Sequence, residues 1–440
     1  MQFSPDILYR QLLLHPASAY RVAYSGGLDS HVLLHALVRV RDRLDVDIGA
    51  VHVNHALQAD ADSWEEHCSN VCRDLGVSYV SLRVDATAAT GDSPEAAARD
   101  ARYAALAEWL PAGECLLTAQ HQDDQAETLL LQLLRGSGVN GLAAMPVLGE
   151  LGRGQLLRPL LSLGRRQLLA YAEANGLCWT EDPSNRDLAF DRNFLRARVF
   201  PLLQERWPSA AAALSRSAAH CAEAASLLEH LGDQDLADVR TGREGRLSLA
   251  RLLALPPERQ RNVLRHWIRQ ATAAVPSAAV LARLLNDVLQ SRRDAEPCVR
   301  WGGYEVRRYR DDLYLLKQRP EPDSSRVLEW LLTESLSLPD AGGVLNASRE
   351  TGRGIRASAV ESAVQVGWRR GGERCLPAGR GQHHSLKKLF QEQGIPPWER
   401  SRIPLIYIDD QLVAVAGLWV CEPFQAGPSE SGLLIDWQQS

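Results

Sequence analysis

Apolar and polar positions along the first third of the chain follow two alternating rhythms. A short unbroken apolar run opens each unit, and a stretch with apolar residues three and four apart follows it. Tyr20 to Tyr24 reads as a buried strand, and His31 to Val38 has helical spacing on one face. "VDIGAVHVNHAL" predicts a second strand at Ile48 to Val53, ending in polar Asn54 and His55, with a helix over Ser63 to Leu75. "VSYVSLRVD" predicts a third strand. "DSPEAAARDARYAALAEWL" predicts a helix with Ser93 as N-cap and Pro94 at its first position. "ECLLTA" predicts a fourth strand, and "DDQAETLLLQLLRG" a helix that Gly136 stops. Repeated strand–helix units predict an α/β fold, a parallel sheet with helices on both faces. Right-handed crossovers then set the loops after each strand along one edge.

The rhythm changes near residue 210. Alanine- and leucine-rich helices run to about Leu289, and "QRPEPDSSR" at 318–326 reads as a linker. Strand-like pieces follow in "RIPLIYI" and "QLVAVAGLWV". The pattern divides the chain into an α/β domain at 1–212, a helical middle domain at 213–317 and a small α+β domain at 327–440.

Composition narrows the class. The chain has 440 residues, 45% hydrophobic and 23% charged, which describes a globular protein with ample core. The net charge of −5 means that any nucleic-acid surface is local. Eight cysteines in no framework spacing fit reduced thiols and a cytoplasmic protein. Cys68 and Cys72, four apart on a helix, are two ligands too few for zinc and read as structural. No secretory pattern opens the chain and no run reaches the length of a membrane span.

Chemistry concentrates on the predicted edge. "SGGLDS" sits between a strand and a helix, where backbone N–H groups and the helix dipole form an anion nest. It lacks the G-x-x-x-x-G-K-[ST] pattern of the common ATP loop and that loop's lysine. Asp29 just beyond the glycines suits magnesium between carboxylate and phosphate, or else is a helix-start aspartate. "TAQHQDDQAET" also follows a strand and opens a helix, with Asp124 and Glu127 three apart on one face and His121 and Asp123 at its mouth. Such a cluster suits magnesium or an amine substrate; a solvated acidic helix start is its bland rival. In "LRGSGVNGL", Arg135, two glycines and Ser137 make a second candidate phosphate-facing loop. Arg192, Arg196 and Arg198 crowd a stretch suited to a nucleic-acid backbone or to plain solvent. Between Gln365 and Arg402 eight basic residues stand against three acids, with glycines beside Arg369, Arg370 and Arg374, then Lys387 and Lys388. Trp368 and Trp398 stack there or simply pack. This segment reads as a nucleic-acid surface.

Together these motifs resemble a known family. S-G-G-x-D-S at Ser25 to Ser30 resembles the PP-loop of N-type ATP pyrophosphatases. V-N-H at 53–55, E-x-x-A-R-x-x-R-Y at 95–103, T-A-x-H-x-D-D-Q-x-E-T at 118–128 and R-G-S-G at 135–138 resemble the bacterial tRNA(Ile)-lysidine synthetases. So do R-P-L-L at 158–161, E-D-P-S-N with R-N-x-x-R after it, and the C-terminal R-R-G-G-E-R, L-K-K and G-I-P-P-W-x-R elements. The likeness spans nearly the whole chain. It implies that ATP adenylates O2 of the wobble cytidine in an isoleucine tRNA bearing CAU. The ε-amine of free L-lysine then attacks C2, and AMP leaves. It implies ATP contacts from Ser25, Gly26, Gly27, Leu28, Asp29, Ser30 and Asn54, with magnesium at Asp29. The implied catalytic set is Asp29, His121, Asp124, Glu127 and Arg192, and His121 is the candidate proton acceptor. Arg99, Arg102, Arg135, Arg196, Arg369, Arg370, Arg374, Lys387 and Lys388 are the implied tRNA contacts, and a homodimer stays open. Gln120 departs from the family, where many members carry two adjacent histidines. A PP-loop tRNA thiolase, a small-molecule amidating enzyme and a non-catalytic ATP- and tRNA-binding protein are the rival readings. The absent C-x-x-C pair weighs against a cluster-using thiolase, the lack of an evident N-terminal glutaminase nucleophile and the basic C-terminal segment against the amidating enzyme, and the acidic cluster against the non-catalytic protein.

Overall fold

In the computed structural model, the described residues are 2–54, 61–84, 94–183, 187–242, 245–272, 275–292, 295–338, 341–377 and 380–438. They form two compact units, residues 1–231 and 232–440. The division falls inside one long helix, Ala210–Val239, some twenty residues beyond the expected boundary, and the expected middle and C-terminal domains share the second unit.

The first unit opens with a helix that the sequence reading does not include, α1 (Pro5–Leu14), and then alternates as the apolar pattern predicts: β1 (Ala19–Ala23), α2 (Leu28–Leu44), β2 (Asp47–Asn54), α3 (Ala61–Asp74), β3 (Ser78–Arg83), α4 (Pro94–Trp109), β4 (Cys115–Leu117) and α5 (Gln122–Leu134). The expected N-cap Ser93, His55 of V-N-H, and Ser184 and Asn185 of E-D-P-S-N lie outside the described residues, and nothing is described of the Glu95 side chain. After α5 come α6 (Val139–Leu142), β5 (Leu148–Leu151), β6 (Gly154–Leu157) and α7 (Arg165–Ala174).

The sheet order is β3-β2-β1-β4-β6-β5, and every pair is parallel except β5 with β6. That exception has a local cause. Only Gly152 and Arg153 join the two strands, and a two-residue turn cannot return a strand parallel. Gly152 takes φ +57°, and a Cβ there would collide with the Ala107 carbonyl. Register sets Tyr20 beside Ile48 and Cys115, and Val22 beside Ala50 and Leu117, so β1, β2 and β4 end on one edge. Val22, Tyr24, Val32, Leu33, Leu37, Cys68 and Cys72 fill the core behind it. Burial pushes both cysteine thiols up to about 12, which leaves them protonated packing groups, as the sequence reading has them.

The second unit holds helices around a four-stranded antiparallel sheet of residues 246–317, followed by the strands of the C-terminal segment. Trp398 stands edge-on to Tyr309 and Tyr314, at 6.2 and 5.1 Å, with the Arg307 guanidinium 5.3 Å from its ring. Arg400 is buried and donates to the Ile395 carbonyl at 2.8 Å and the Tyr309 hydroxyl at 3.2 Å. Arg402 donates to the carbonyls of Arg319 and Pro320 in the linker, at 3.0 and 2.7 Å. Trp368 is 1% exposed. Both tryptophans therefore pack, and Arg400 and Arg402 tie chain to chain. Among the described residues no helix is long and apolar enough to cross a membrane.

Candidate functional site

The SGG turn closes on its own hydroxyls. Ser30 Oγ donates to the Gly27 carbonyl at 3.1 Å, lies 3.1 Å from Ser25 Oγ, and accepts from the Ser25 N–H at 3.2 Å. Gly26 takes φ +79°, a conformation that favours glycine, and a Cβ there would lie 3.0 Å from Thr180 Oγ1 and 3.1 Å from Cys68 Sγ. Gly27 is the N-cap of α2 and supplies no side-chain acceptor, so the first-turn N–H groups stay available to an anion. The Thr180 N–H donates to the Gly26 carbonyl at 3.0 Å, which lays the segment before Asp182 across the turn. The sequence reading missed Thr180, and nothing local in its neighbours marks it.

The second wall is the start of α5. His121 is 1% exposed and caps that helix; its own N–H donates to Asp124 Oδ2 at 3.0 Å. Three carboxylates surround its ring. Nε2 lies 3.6 Å from Asp29 Oδ2 and 3.4 Å from Asp124 Oδ2, and Nδ1 lies 3.6 Å from Asp123 Oδ2. Burial opposes the charged ring, but Asp29, Asp124 and Asp123 outweigh it and raise the His121 pKa above its ordinary value. Asp29 and the acidic cluster, nearly a hundred residues apart, thus meet around one imidazole.

The third wall answers the acids with guanidiniums. After α8 (Asp191–Phe194) a short π-helix, Leu195–Val199, leads into α9 (Phe200–Arg206). Leu195, Val199 and Phe200 pack on Ala126, Leu130 and Leu131 of α5, which lays this segment along the carboxylate helix. Arg196 Nε donates to Glu127 Oε1 at 2.8 Å, and its Nη2 to Glu127 Oε2 at 2.9 Å and Asp124 Oδ1 at 3.0 Å. Arg192 Nη2 donates to Thr128 Oγ1 at 2.8 Å, while its Nε lies 3.6 Å from Glu127 Oε2 without a hydrogen bond. Glu127 is 2% exposed; burial raises its pKa against the opposing pull of Arg196. Arg196, expected on the RNA, instead points inward at the carboxylates. Exposed Phe194, Arg198, Leu202, Arg206 and Trp207 face the other way, about one turn apart.

The remaining expected residues scatter. Asn54 is buried at the edge and donates to Glu65 Oε2 at 2.8 Å. Arg99 and Arg102 are exposed on α4, and the Arg99 guanidinium lies 5.0 Å from the Tyr103 ring centre. Arg135 is exposed just beyond α5. In the second unit, Arg370, Arg374, Lys387 and Lys388 are exposed, whereas Arg369 is half-buried, 3.6 Å from Glu373. Arg370 Nε donates to the Ser324 carbonyl at 3.0 Å and Arg374 Nη2 to that of His383 at 3.3 Å. Among the described residues no group of three or more His, Cys, Asp or Glu is set to hold a metal. Asp29 Oδ1 is nonetheless buried without a hydrogen-bond partner beside the anion nest, which fits a hard cation shared between one carboxylate and phosphate oxygens.

The chain is similar to known proteins over nearly its whole length. Residues 6–203 match the family described as the PP-loop domain, 247–314 the TilS substrate binding domain, and 364–437 the TilS substrate C-terminal domain. A tRNA(Ile)-lysidine synthase of Coxiella burnetii is 45% identical over 437 residues, 99% of this chain and 97% of its own. Those of Methylococcus capsulatus and Shigella flexneri are 47% identical over 427 residues and 43% over 434, covering 96% and 98% of this chain and 97% and 99% of theirs.

Proposed function

This chain belongs to the tRNA(Ile)-lysidine synthase family, and on that premise we propose that it joins free L-lysine to C2 of the wobble cytidine of an isoleucine tRNA with a CAU anticodon, using ATP. ATP first adenylates the cytidine O2 and pyrophosphate departs; the lysine ε-amine then attacks C2 and expels AMP. The activation is needed because a carbonyl oxygen is a poor leaving group and AMP a good one. The observation that carries this reading is the meeting of an uncapped glycine turn with the carboxylates of Asp124 and buried Glu127, which Arg196 holds in place.

In this reading the turn Ser25 to Ser30 receives the phosphates, and its oriented N–H groups stabilise the charge that develops on pyrophosphate. Asn54 lies on the adenosine side of the edge. Magnesium, held by Asp29, would supply positive charge to the departing phosphates. Asp124 and Glu127 attract the lysine ammonium, and Arg192 with Arg196 face its α-carboxylate. The amine must lose a proton before it attacks. His121 is the sequence candidate for taking it, but the three carboxylates around its ring favour the form that already carries the proton. Glu127, whose burial raises its proton affinity, suits the step better, and His121 acts by holding Asp29 and Asp124 in place.

For the tRNA, the outward face of Phe194, Arg198, Leu202, Arg206 and Trp207 offers bases to stack on and charges for phosphates beside the site. Arg99, Arg102 and Arg135 in the first unit, and Arg369, Arg370, Arg374, Lys387 and Lys388 in the second, supply further backbone contacts. In this reading a catalytic domain at 1–212 is followed by tRNA-gripping domains at 213–317 and 327–440, acting in the cytoplasm. A homodimer is compatible with this scheme.

The test incubates purified protein with ATP, magnesium, radiolabelled lysine and isoleucine tRNA bearing CAU. Elongator methionine tRNA, which shares the anticodon, is the control. Label in the first tRNA alone is expected. Label in neither, with AMP and pyrophosphate released on another RNA or an ammonia donor, would overturn the substrate while keeping the ATP chemistry.

A further inference from the structure

Two cysteines lie together in the second unit, outside the residues that hold ATP and lysine in the proposed reaction. Cys375 ends the short strand Arg374–Cys375, and Cys421 follows the strand Trp419–Val420. Forty-six positions separate them, yet their Sγ atoms are 2.7 Å apart. Both are buried, at 0% and 4% exposure, among Leu386, Phe390 and Leu405. The backbone on either side is tied as well. Pro377 bridges Cys421, and the Glu422 N–H donates to the Leu376 carbonyl at 2.7 Å. The two sulfurs therefore face each other across two backbone segments that are already tied side by side. The strand that carries Cys375 is also the end of the basic segment Arg369 to Arg374.

We propose that Cys375 and Cys421 are an oxidisable dithiol, and that hydrogen peroxide converts them to a disulfide which pins the basic segment to the chain at Cys421. Hydrogen bonding between the two sulfurs lowers the Cys421 pKa and, together with burial, raises that of Cys375, which favours thiolate at Cys421 and thiol at Cys375. The Cys421 thiolate attacks one peroxide oxygen; the O–O bond breaks, leaving a sulfenic acid and hydroxide, which takes a proton to become water. Cys375 sulfur then attacks Cys421 Sγ. The S–S bond forms, the S–O bond breaks, and the departing hydroxide leaves as water with the Cys375 proton. Two thiols and one peroxide thus become one disulfide and two waters. In a reducing compartment such a bond is transient and returns to thiols by exchange.

The test uses the full chain carrying Cys178→Ser, which removes the exposed thiol. It is treated with hydrogen peroxide, quenched with catalase, unfolded, alkylated with N-ethylmaleimide and digested without reductant. The expected result is a joined pair of peptides carrying Cys375 and Cys421, reversed by dithiothreitol. Amide exchange at residues 374–377 and 419–422 should slow at least about three-fold in the oxidised form. Cys375→Ala should stop the chemistry at the sulfenic acid of Cys421, which dimedone traps. Recovery of both cysteines as alkylated thiols after peroxide, or their linkage to other cysteines, would overturn the site. Joined peptides with unchanged exchange would overturn the pinning. If the alanine variant fails to fold, the reduced and oxidised parent proteins still decide both points.

Discussion

Arg196 lays both arms of its guanidinium on Glu127, with Nε 2.8 Å from Oε1 and Nη2 2.9 Å from Oε2. A carboxylate that is 2% exposed is tolerated because this fork neutralises it. The π-helix that carries Arg196 packs its apolar residues on α5, so the pairing and the packing reinforce each other.

Arg196→Gln removes that fork and leaves Glu127 short of a partner. Stability should fall by about 2–3 kcal/mol in urea unfolding. The apparent affinity for lysine should fall at least ten-fold, while the salt dependence of tRNA binding stays as in the parent. A shallower salt slope with unchanged lysine affinity would put Arg196 on the RNA instead.

His121 sets a pH dependence whose sign follows from its surroundings. Burial works against its charge, but Asp29, Asp124 and Asp123 raise its pKa above 6.5 in the folded protein. Its contribution to stability is therefore complete below the unfolded value and is lost as pH rises through the folded one. The stability difference between the parent and His121→Gln should be largest in mild acid and shrink toward alkaline pH. A difference that grows with pH would show the ring neutral in the folded state.

Gly26→Ala forces a side chain into a φ of +79° and against Thr180 Oγ1 and Cys68 Sγ, 3.0 and 3.1 Å away. A cost of about 1–2 kcal/mol is expected from the backbone alone. The larger effect should be on ATP affinity, measured by calorimetry, because Thr180 also bonds this turn.

Asp29→Ala should abolish pyrophosphate release and leave tRNA binding, measured by filter retention, nearly intact. Release that continues at the parent's magnesium optimum would remove Asp29 from the phosphate site.

Replacing Arg369, Arg370 and Arg374 together by Gln should weaken tRNA binding and lower the slope of log K against log salt by roughly 2. Arg369 contributes least, since it is half-buried beside Glu373. An unaltered slope would make the segment solvated surface.

The sequence by itself determined the alternation of strands and helices from Ala19 to Leu134, the sheet edge, and the two loops of chemistry on it. Apolar periodicity is a local property, and SGGLDS and TAQHQDDQAET each announce a strand-to-helix junction. It did not determine the antiparallel hairpin of β5 and β6, which a two-residue turn at Gly152 dictates. Nor did it place Thr180 over the phosphate turn, since that contact joins segments some 150 residues apart. The arginines show the limit best. Arg196 and Arg198 are two apart and chemically alike, and a sequence cannot say which faces in. Packing of Leu195, Val199 and Phe200 on α5 turned Arg196 to the carboxylates and Arg198 to solvent. Likewise Arg400 belongs by sequence to the basic segment, yet its guanidinium is buried on Tyr309 and Ile395. Which side of an element meets the core is settled by its neighbours in space, and only the tertiary structure supplies those.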